Sequence, residues 1–540
     1  MNGEKIYNKK HKSGDNMNIY IILTAILLLL DISCAVSLIF IEKRDSTTTW
    51  AWLLVLAIFP FLGFILYVCL GQNISKKKIF SKKAKIDKNK LKHILDKFKS
   101  TYDSSKKDQY YLDLIKMNYN TNGSVYTDNN SVKTYINGED KFRDLIHDIK
   151  DAVSFINIQY YIFRCDNLGM ELLNLLGKKV SEGVEVRLLV DGMGSSSLKK
   201  KNIQYIKSLG IKFSFFFPSI FSFVNLRINY RNHRKIVIID GRTGYVGGFN
   251  VGNEYVNKGK QFDFWRDTHL RIKGDAVLEL QKRFTLDWEY AAKESIDEKQ
   301  YVLTKLTPSV DEAYVLSDLF LDAIKQHKNE LMSKNNKFNS TINSNKTSTP
   351  ANYLKTFNNV GIQIISSGPD NLEEYIRNSY LKIINNARKN IYIQTPYLVP
   401  DEPMIMALKL AASSGVDVRI MVPDEADHFF MTYALSASID TLIKSGIKFY
   451  RYKKGFIHAK TICADGCICS IGTANLDIRS FKLNFEINAI IYDSDVTSYN
   501  ENIFINDMND CKFLSIEDHN KRSFKTKTLE SIVKLIFPLL

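Results

Sequence analysis

Two long apolar runs open the chain. Positions 19–41 carry a single charge, Asp31, and positions 50–70 carry none. Either run can cross a hydrocarbon core about 30 Å thick. Only 42–49 joins them, so the pattern predicts a polar tail and a two-helix transmembrane hairpin over 1–72. A cleaved signal peptide fits the first run less well, because the run is too long and a second span follows at once. Trp50, Trp52 and Tyr67 fall near the ends of the second run, where interfacial aromatics belong. Pro60 predicts a kink, and Asp31 should face a helix partner rather than lipid.

Beyond the hairpin the pattern changes twice. The stretch 73–130 is lysine-rich at first, with Leu91, Ile94, Leu95 and Phe98 at helical spacing between the charges. It reads as a basic amphipathic segment lying on an anionic membrane surface, against the blander alternative of a solvated linker helix. From about 131 the chain turns globular. INIQYYIF, VEVRLLVD and IKFSFFF read as strands, each preceded by a helical pattern. The order repeats further on, where IYIQTPYL, GVDVRIMVP and SGIKFY answer the first three. Strands alternating with helices argue for α/β units around a largely parallel sheet, and the repeat argues for duplication. The two units take 131–330 and 356–540. Between them, 331–355 is rich in Asn, Ser, Thr and Lys and reads as a disordered insertion. The Phe-rich stretch 213–224 reads equally as a core strand with its loop or as an apolar lip that meets acyl chains.

Each unit also carries one copy of a polar motif. The second copy, IHAKTICADGCICSIGTAN, holds His458, Lys460, Asp465, Gly472, Thr473 and Asn475. The first, HRKIVIIDGRTGYVGGFN, holds His233, Lys235, Asp240, Gly247, Gly248 and Asn250 at matched spacing. Both read as strand, turn, strand, which sets each His and Lys on one face. Upstream of the first copy Asn225, Arg227, Asn229 and Arg231 extend that face. The glycines let the returning strand come close, so each Asn can reach the spot its His-Lys pair faces. Two imidazoles suit a nucleophile and a general acid/base. Two Lys and two Asn amides suit the non-bridging oxygens of a phosphate. The lysines supply the charge, so the reading requires no cofactor and no metal. A pair of structural histidines would explain either motif alone, but not two copies at one spacing.

HxKxxxxD followed by GG or GT and then Asn, present twice, resembles the phospholipase D superfamily. The resemblance implies two duplicated phospholipase D-like α/β domains that share one active site. It makes His233, Lys235, Asp240, His458, Lys460 and Asp465 catalytic, and Asn250, Asn475 and Thr473 phosphate-binding. It also implies an orienting acid downstream of each His: Asp267 for His233 and Glu486 for His458. Where the family has Ser or Thr, the first copy has Gly248. More narrowly, NYRNHRKIVIIDG, GGFNVGNEY, IQTPYLVPDE, GFIHAKT and NLDIRSFKLNFEIN resemble the bacterial cardiolipin synthases over nearly the whole chain. That implies phosphatidyl transfer between two phosphatidylglycerols through a phosphatidyl-histidine, giving cardiolipin and glycerol, with His233 the nucleophile by analogy. Hydrolysis of the same intermediate, or transfer to another alcohol, shares the first step and stays open.

Charge narrows the partners. The chain has 540 residues and a net charge of +16, which suits a polyanionic partner. An anionic membrane fits the hairpin; a superfamily nuclease would have no use for one, so no nucleic acid is expected. Basic residues crowd both flanks of the hairpin, and 42–49 carries only Lys43 and Arg44 against Glu42 and Asp45. The positive-inside rule then places both ends and the catalytic units in the cytoplasm. Seven cysteines at irregular spacing give neither a disulfide framework nor a metal finger. They read as reduced, with Cys467 and Cys469 sharing one strand face.

Overall fold

The computed structural model describes residues 20–41, 46–67, 83, 109–217, 229–296 and 354–536. The helix expected over Leu91–Phe98, the insertion and the later part of the Phe-rich stretch lie outside the described residues.

The first half supplies β1 (Tyr126–Tyr135), β2 (Phe155–Tyr160), β3 (Glu185–Asp191), β4 (Lys212–Phe216), β5 (Arg231–Asn232), β6 (Ile236–Ile239), β7 (Thr243–Gly247), β8 (Trp265–Arg266) and β9 (His269–Lys273). The second supplies β10 (Thr356–Ser367), β11 (Asn390–Gln394), β12 (Leu398–Val399), β13 (Asp417–Pro423), β14 (Lys448–Tyr452), β15 (Phe456–Ile457), β16 (Thr461–Ala464), β17 (Ile468–Gly472), β18 (Leu476–Asp477), β19 (Asn484–Tyr492) and β20 (Cys511–Leu514). Outward from the seam, the first half runs β1-β9-β7-β6-β2-β3-β4 and the second β10-β19-β17-β16-β11-β13-β14. The orders correspond strand for strand, with β20 added at the far edge. β1 pairs with β10 antiparallel, so the two halves form one continuous sheet rather than two docked ones.

The sheet is mixed, where the sequence predicts a largely parallel one. Along the main strand order, β2-β3-β4 and β11-β13-β14 run parallel and the other neighbours antiparallel. The motif hairpins β6-β7 and β16-β17 insert antiparallel beside them, because a connection of three residues can only join antiparallel strands. The expected domain start at 131 also falls inside β1, and helix Gln109–Asn122 packs on the second half through Asn118, whose amide donates to Gln363 Oε1 at 3.2 Å.

Helices cover both faces. Gly138–Lys150 and Asn167–Ser181 close one core over β2 and β3. Tyr375–Asn386, Glu402–Ser413 and Phe429–Leu442 close its counterpart in the second half. Ala276–Ala292 lies over the opposite face near the seam, in a core that Val496 of helix Ser494–Asp507 also enters. Phe216 and Phe217 are buried there, so the start of the Phe-rich stretch is core.

At the N-terminus, Tyr20–Ile41 is one helix long and apolar enough to cross a membrane. The second apolar run is not a straight span. It breaks at Phe59 into Ser46–Ile58 and Pro60–Leu66, since Pro60 lacks the N–H needed to continue a helix. The two pieces fold back on each other, with Trp52 and Tyr67 rings 5.5 Å apart. Asp31 is buried, and its carboxylate has no hydrogen-bond partner among the described residues. From the basic segment that follows, Lys83 is described; its ammonium is buried in the catalytic fold, 2.7 Å from Asp370 Oδ2.

Candidate active site

The two motif copies meet where each crosses into the other half. β5, just before His233, pairs in parallel with β19 of the second half, and β15, just before His458, pairs in parallel with β8 of the first. The His233 N–H donates to Phe485 O at 2.9 Å, and the His458 N–H donates to Arg266 O at 2.6 Å. Each contact is to the carbonyl immediately before an orienting acid, so each histidine is registered against the acid of the opposite half.

This reverses the pairing the sequence predicts. His233 Nδ1 lies 2.9 Å from Glu486 Oε2 and 3.0 Å from Oε1. His458 Nδ1 lies 2.6 Å from Asp267 Oδ2. Chain order suggests partners within one half, but strand exchange swaps them. With ionised carboxylates as acceptors, both Nδ1 atoms must donate, which leaves each Nε2 as a bare lone pair.

Two polar braces hold these acids. Arg234 Nε donates to Glu486 O at 3.1 Å, while its Nη1 meets Asp287 Oδ2 at 2.6 Å. Arg266 Nη1 donates to Asp267 O at 2.6 Å, while its Nη2 meets Asp507 Oδ2 at 2.7 Å. Gln159 and Gln394, at the same place in the two IxIQ strands, donate to those aspartates at 2.9 and 2.7 Å. Sequence reading passed over all six side chains, although the repeated Gln was visible. The arginines were not, because one lies inside its motif and the other beside an acid.

Thr473 and Gly248 occupy equivalent places and do different work. Thr473 Oγ1 donates to Glu486 Oε2 at 2.6 Å. Expected as a phosphate ligand, it instead supports the acid that orients His233. Gly248 abuts the other acid: a Cβ there would lie 2.0 Å from Asp267 Oδ1. The missing hydroxyl of the first copy is thus a matter of space. Asp267 takes its extra hydrogen bond from the Thr268 N–H, at 2.7 Å.

Asp240 and Asp465 are not at the site. The whole of β6 separates His233 from Asp240, and β16 separates His458 from Asp465. Both sit at positive φ, 52° and 56°, followed by Gly241 and Gly466, in tight hairpin turns. Asp240 accepts from the N–H groups of Val153, Ser154 and Phe155, and Asp465 from those of Arg388, Lys389 and Asn390. These carboxylates tie each hairpin to the start of the neighbouring strand. Asp240→Asn should therefore cost about 2 kcal/mol of stability, the scale of hydrogen bonds to a charged group. Thermal denaturation in detergent should show the loss while the folded fraction keeps its turnover.

The two Asn also diverge. Asn250 is committed to the scaffold, accepting from the Ile162 N–H at 3.0 Å and donating to the Tyr255 hydroxyl at 3.1 Å. Asn475 Oδ1 is buried without a hydrogen-bond partner among the described residues. Lys235 Nζ donates to His233 O at 2.7 Å, and Lys460 Nζ to His458 O. The sulfur expectation needs a change of partner too: Cys463 faces Cys469 across β16 and β17, while Cys467 sits in the turn.

Burial dominates the electrostatics. It pushes His233 and His458 each down to about 4, against the pull of Glu486 and Asp267. It lowers Lys235 to about 7 and Lys460 to about 8. Burial alone would raise Asp267, but Lys460 and His458 outweigh it; His233 and Lys235 do the same for Glu486, so both stay below the usual carboxylate range. The site thus holds two neutral imidazoles, two ionised acids and two lysines that an anion would keep charged. Aromatic rings wall it: Tyr161 lies 4.9 Å from the His233 ring and Trp265 lies 5.2 Å from the His458 ring.

Comparison with known proteins places the chain among relatives. Residues 145–288 and 380–508 match the family described as "Cardiolipin synthase, PLD-like domain", and 29–72 match a phospholipase D-nuclease N-terminal family. A cardiolipin synthase of Clostridium perfringens is 45% identical over 93% of this chain and 96% of its own length. Cardiolipin synthase 2 of Staphylococcus epidermidis is 41% identical over 98% of this chain and 99% of its own. Among solved structures, the phosphatidylserine synthase of Haemophilus influenzae Rd KW20 superposes with a TM-score of 0.51 at 15% identity, over 76% of this chain and 95% of that one, a likeness of fold. The duplicated sheet, the two crossed histidine–acid pairs and these near full-length relatives show that the chain belongs to the cardiolipin synthase family of phospholipase D-like enzymes.

Proposed function

We propose that this protein joins two phosphatidylglycerols into cardiolipin, releasing glycerol. The observation that carries the proposal is the pair of buried imidazoles, each with Nδ1 held by an acid from the other half. His233 Nε2 attacks the phosphorus, and the bond from phosphorus to the headgroup glycerol oxygen breaks. His458 gives that oxygen a proton. His458 then takes the proton from a terminal hydroxyl of the second phosphatidylglycerol, whose oxygen displaces His233 from phosphorus. Covalent catalysis splits one exchange into two displacements. Lys235, Lys460 and Asn475 face the charge that builds on the phosphate oxygens.

The supporting shell favours this division of labour. Glu486 shares its charge with Thr473 Oγ1 at 2.6 Å and with Asn484 Nδ2 at 3.1 Å, so it stabilises a His233 imidazolium less and leaves that ring neutral. Asp267 meets His458 at 2.6 Å with no side-chain hydroxyl competing among the described residues, which favours the imidazolium once an anionic phosphodiester has bound.

The lysines set an alkaline limit. A profile of kcat/KM reports the free enzyme, where Lys235 and Lys460 titrate near 7 and 8. Above those values they lose the charge that holds phosphate, so kcat/KM should fall as pH rises through 7–8. Bound phosphate raises both groups, so the kcat profile should fall at higher pH. Because lysine supplies the charge, activity should survive EDTA. Its loss on chelation with rescue by one divalent ion would contradict the reading.

The lysines that flank the apolar N-terminal region support a cytoplasmic side for the catalytic halves. The deciding assay uses purified full-length protein and labelled phosphatidylglycerol in detergent micelles. Cardiolipin supports the proposal; phosphatidic acid alone makes the enzyme a hydrolase.

A further inference from the structure

The last helix, Phe524–Ile536, carries an apolar stripe that the fold does not use. Its inner face packs on helix Phe429–Leu442: Val533 is buried in a cluster with Val399 and Ala434, and Glu530 accepts from Ser436 Oγ at 2.5 Å. Its outer face should be polar. Instead Phe524 is 87% exposed, Leu535 68% and Ile532 49%. At helical spacing Phe524 and Leu535 share one face with Thr528 and Ser531, with Ile532 beside it. Lys525 edges the stripe on one side and Lys527 and Lys534 on the other, all exposed.

An outward apolar stripe between lysines is the pattern of a helix lying in a membrane interface, with rings and branched carbons among acyl chains and ammonium groups at anionic headgroups. The helix that Phe524–Ile536 packs on begins at Phe429, which is 75% exposed and lies two residues after Asp427, whose Oδ2 accepts from the Tyr397 hydroxyl at 2.5 Å. Tyr397 in turn faces His458 edge-on, with ring centroids 6.5 Å apart. The helix that carries Phe524–Ile536 thus leads, through Asp427 and Tyr397, to the rim of the catalytic centre.

We propose that Phe524–Ile536 is a second membrane contact, which seats the mouth of the site on the surface of an anionic bilayer so that a lipid headgroup can reach His233 and His458 without leaving the lipid phase. This rests on the reading that the substrate is a bilayer phospholipid, but its test does not need activity. Leu535→Cys is made in full-length protein whose seven native cysteines are replaced, and is labelled with an environment-sensitive fluorophore. The protein is placed in phosphatidylglycerol nanodiscs with and without doxyl-labelled lipid. Glu171→Cys, exposed on helix Asn167–Ser181, is the control. Blue-shifted emission quenched by shallow doxyl groups at position 535, and unquenched at 171, is the expected result. Quenching no stronger than the control overturns the proposal. So does a blue shift without quenching, which would mean that a second copy or another segment of the chain covers the stripe. In activity, Phe524→Asp with Leu535→Asp should slow turnover of long-chain phosphatidylglycerol in bilayers about tenfold and leave turnover of monomeric short-chain phosphatidylglycerol unchanged. Equal loss on both substrates would show that the helix serves the fold instead.

Discussion

Glu486→Gln should disable His233, a residue of the other half, and Asp267→Asn should disable His458. Either change keeps the shape of the side chain and removes its charge. A neutral amide also offers an N–H where Nδ1 needs an acceptor, which favours the imidazole tautomer with the proton on the wrong nitrogen. The same change in a Ser-His-Asp site costs about 10⁴-fold in kcat, and a loss of about 10³- to 10⁴-fold is expected here. The two variants should differ in what rescues them. Asp267→Asn weakens the acid that protonates the departing glycerol, so a phosphatidyl donor with a better leaving group should recover adduct formation. Glu486→Gln weakens the nucleophile and should not recover. Histidine–acid pairs confined to one half would give the opposite assignment.

The larger effect is expected from the histidines themselves. His233→Ala should remove turnover and the covalent adduct together, a loss of about 10⁵-fold or more, because no other group can take the phosphatidyl moiety. His458→Ala should slow both displacements, the first for want of an acid and the second for want of a base. It should still form adduct from a donor whose leaving group needs no proton. Near wild-type turnover in either variant would contradict a shared site.

The chemistry of the site was legible because duplication doubles the signal. His233, Lys235, His458 and Lys460 stand at one spacing in two strand-turn-strand segments, and Asp-Gly in each marks the hairpin turn. What chain order cannot carry is strand exchange. Nothing local to Asp267 says that β8 pairs with β15, so the acids were matched to the nearer histidine rather than to the one facing them. Asp240 and Asp465 show a second limit. An aspartate in a motif looks the same whether it meets substrate or three backbone N–H groups, and only the turn geometry separates the two. The mixed sheet escaped notice because buried parallel and antiparallel strands share one apolar pattern. The bent second apolar run went too far the other way. Its composition suits a span, but Pro60 ends the helix outright instead of kinking it.

Trapping the intermediate decides whether a single histidine of one shared site carries the phosphatidyl group. Full-length protein turning over phosphatidylglycerol labelled at phosphorus is denatured rapidly, digested and mapped by mass spectrometry. Label is expected on the peptide that contains His233, at a level set by the balance of the two displacements, and none on the peptide that contains His458. Label on His458 would reverse the roles of the two rings. Steady cardiolipin formation with neither peptide labelled, under conditions where a histidine adduct is shown to survive the quench, would contradict the covalent mechanism.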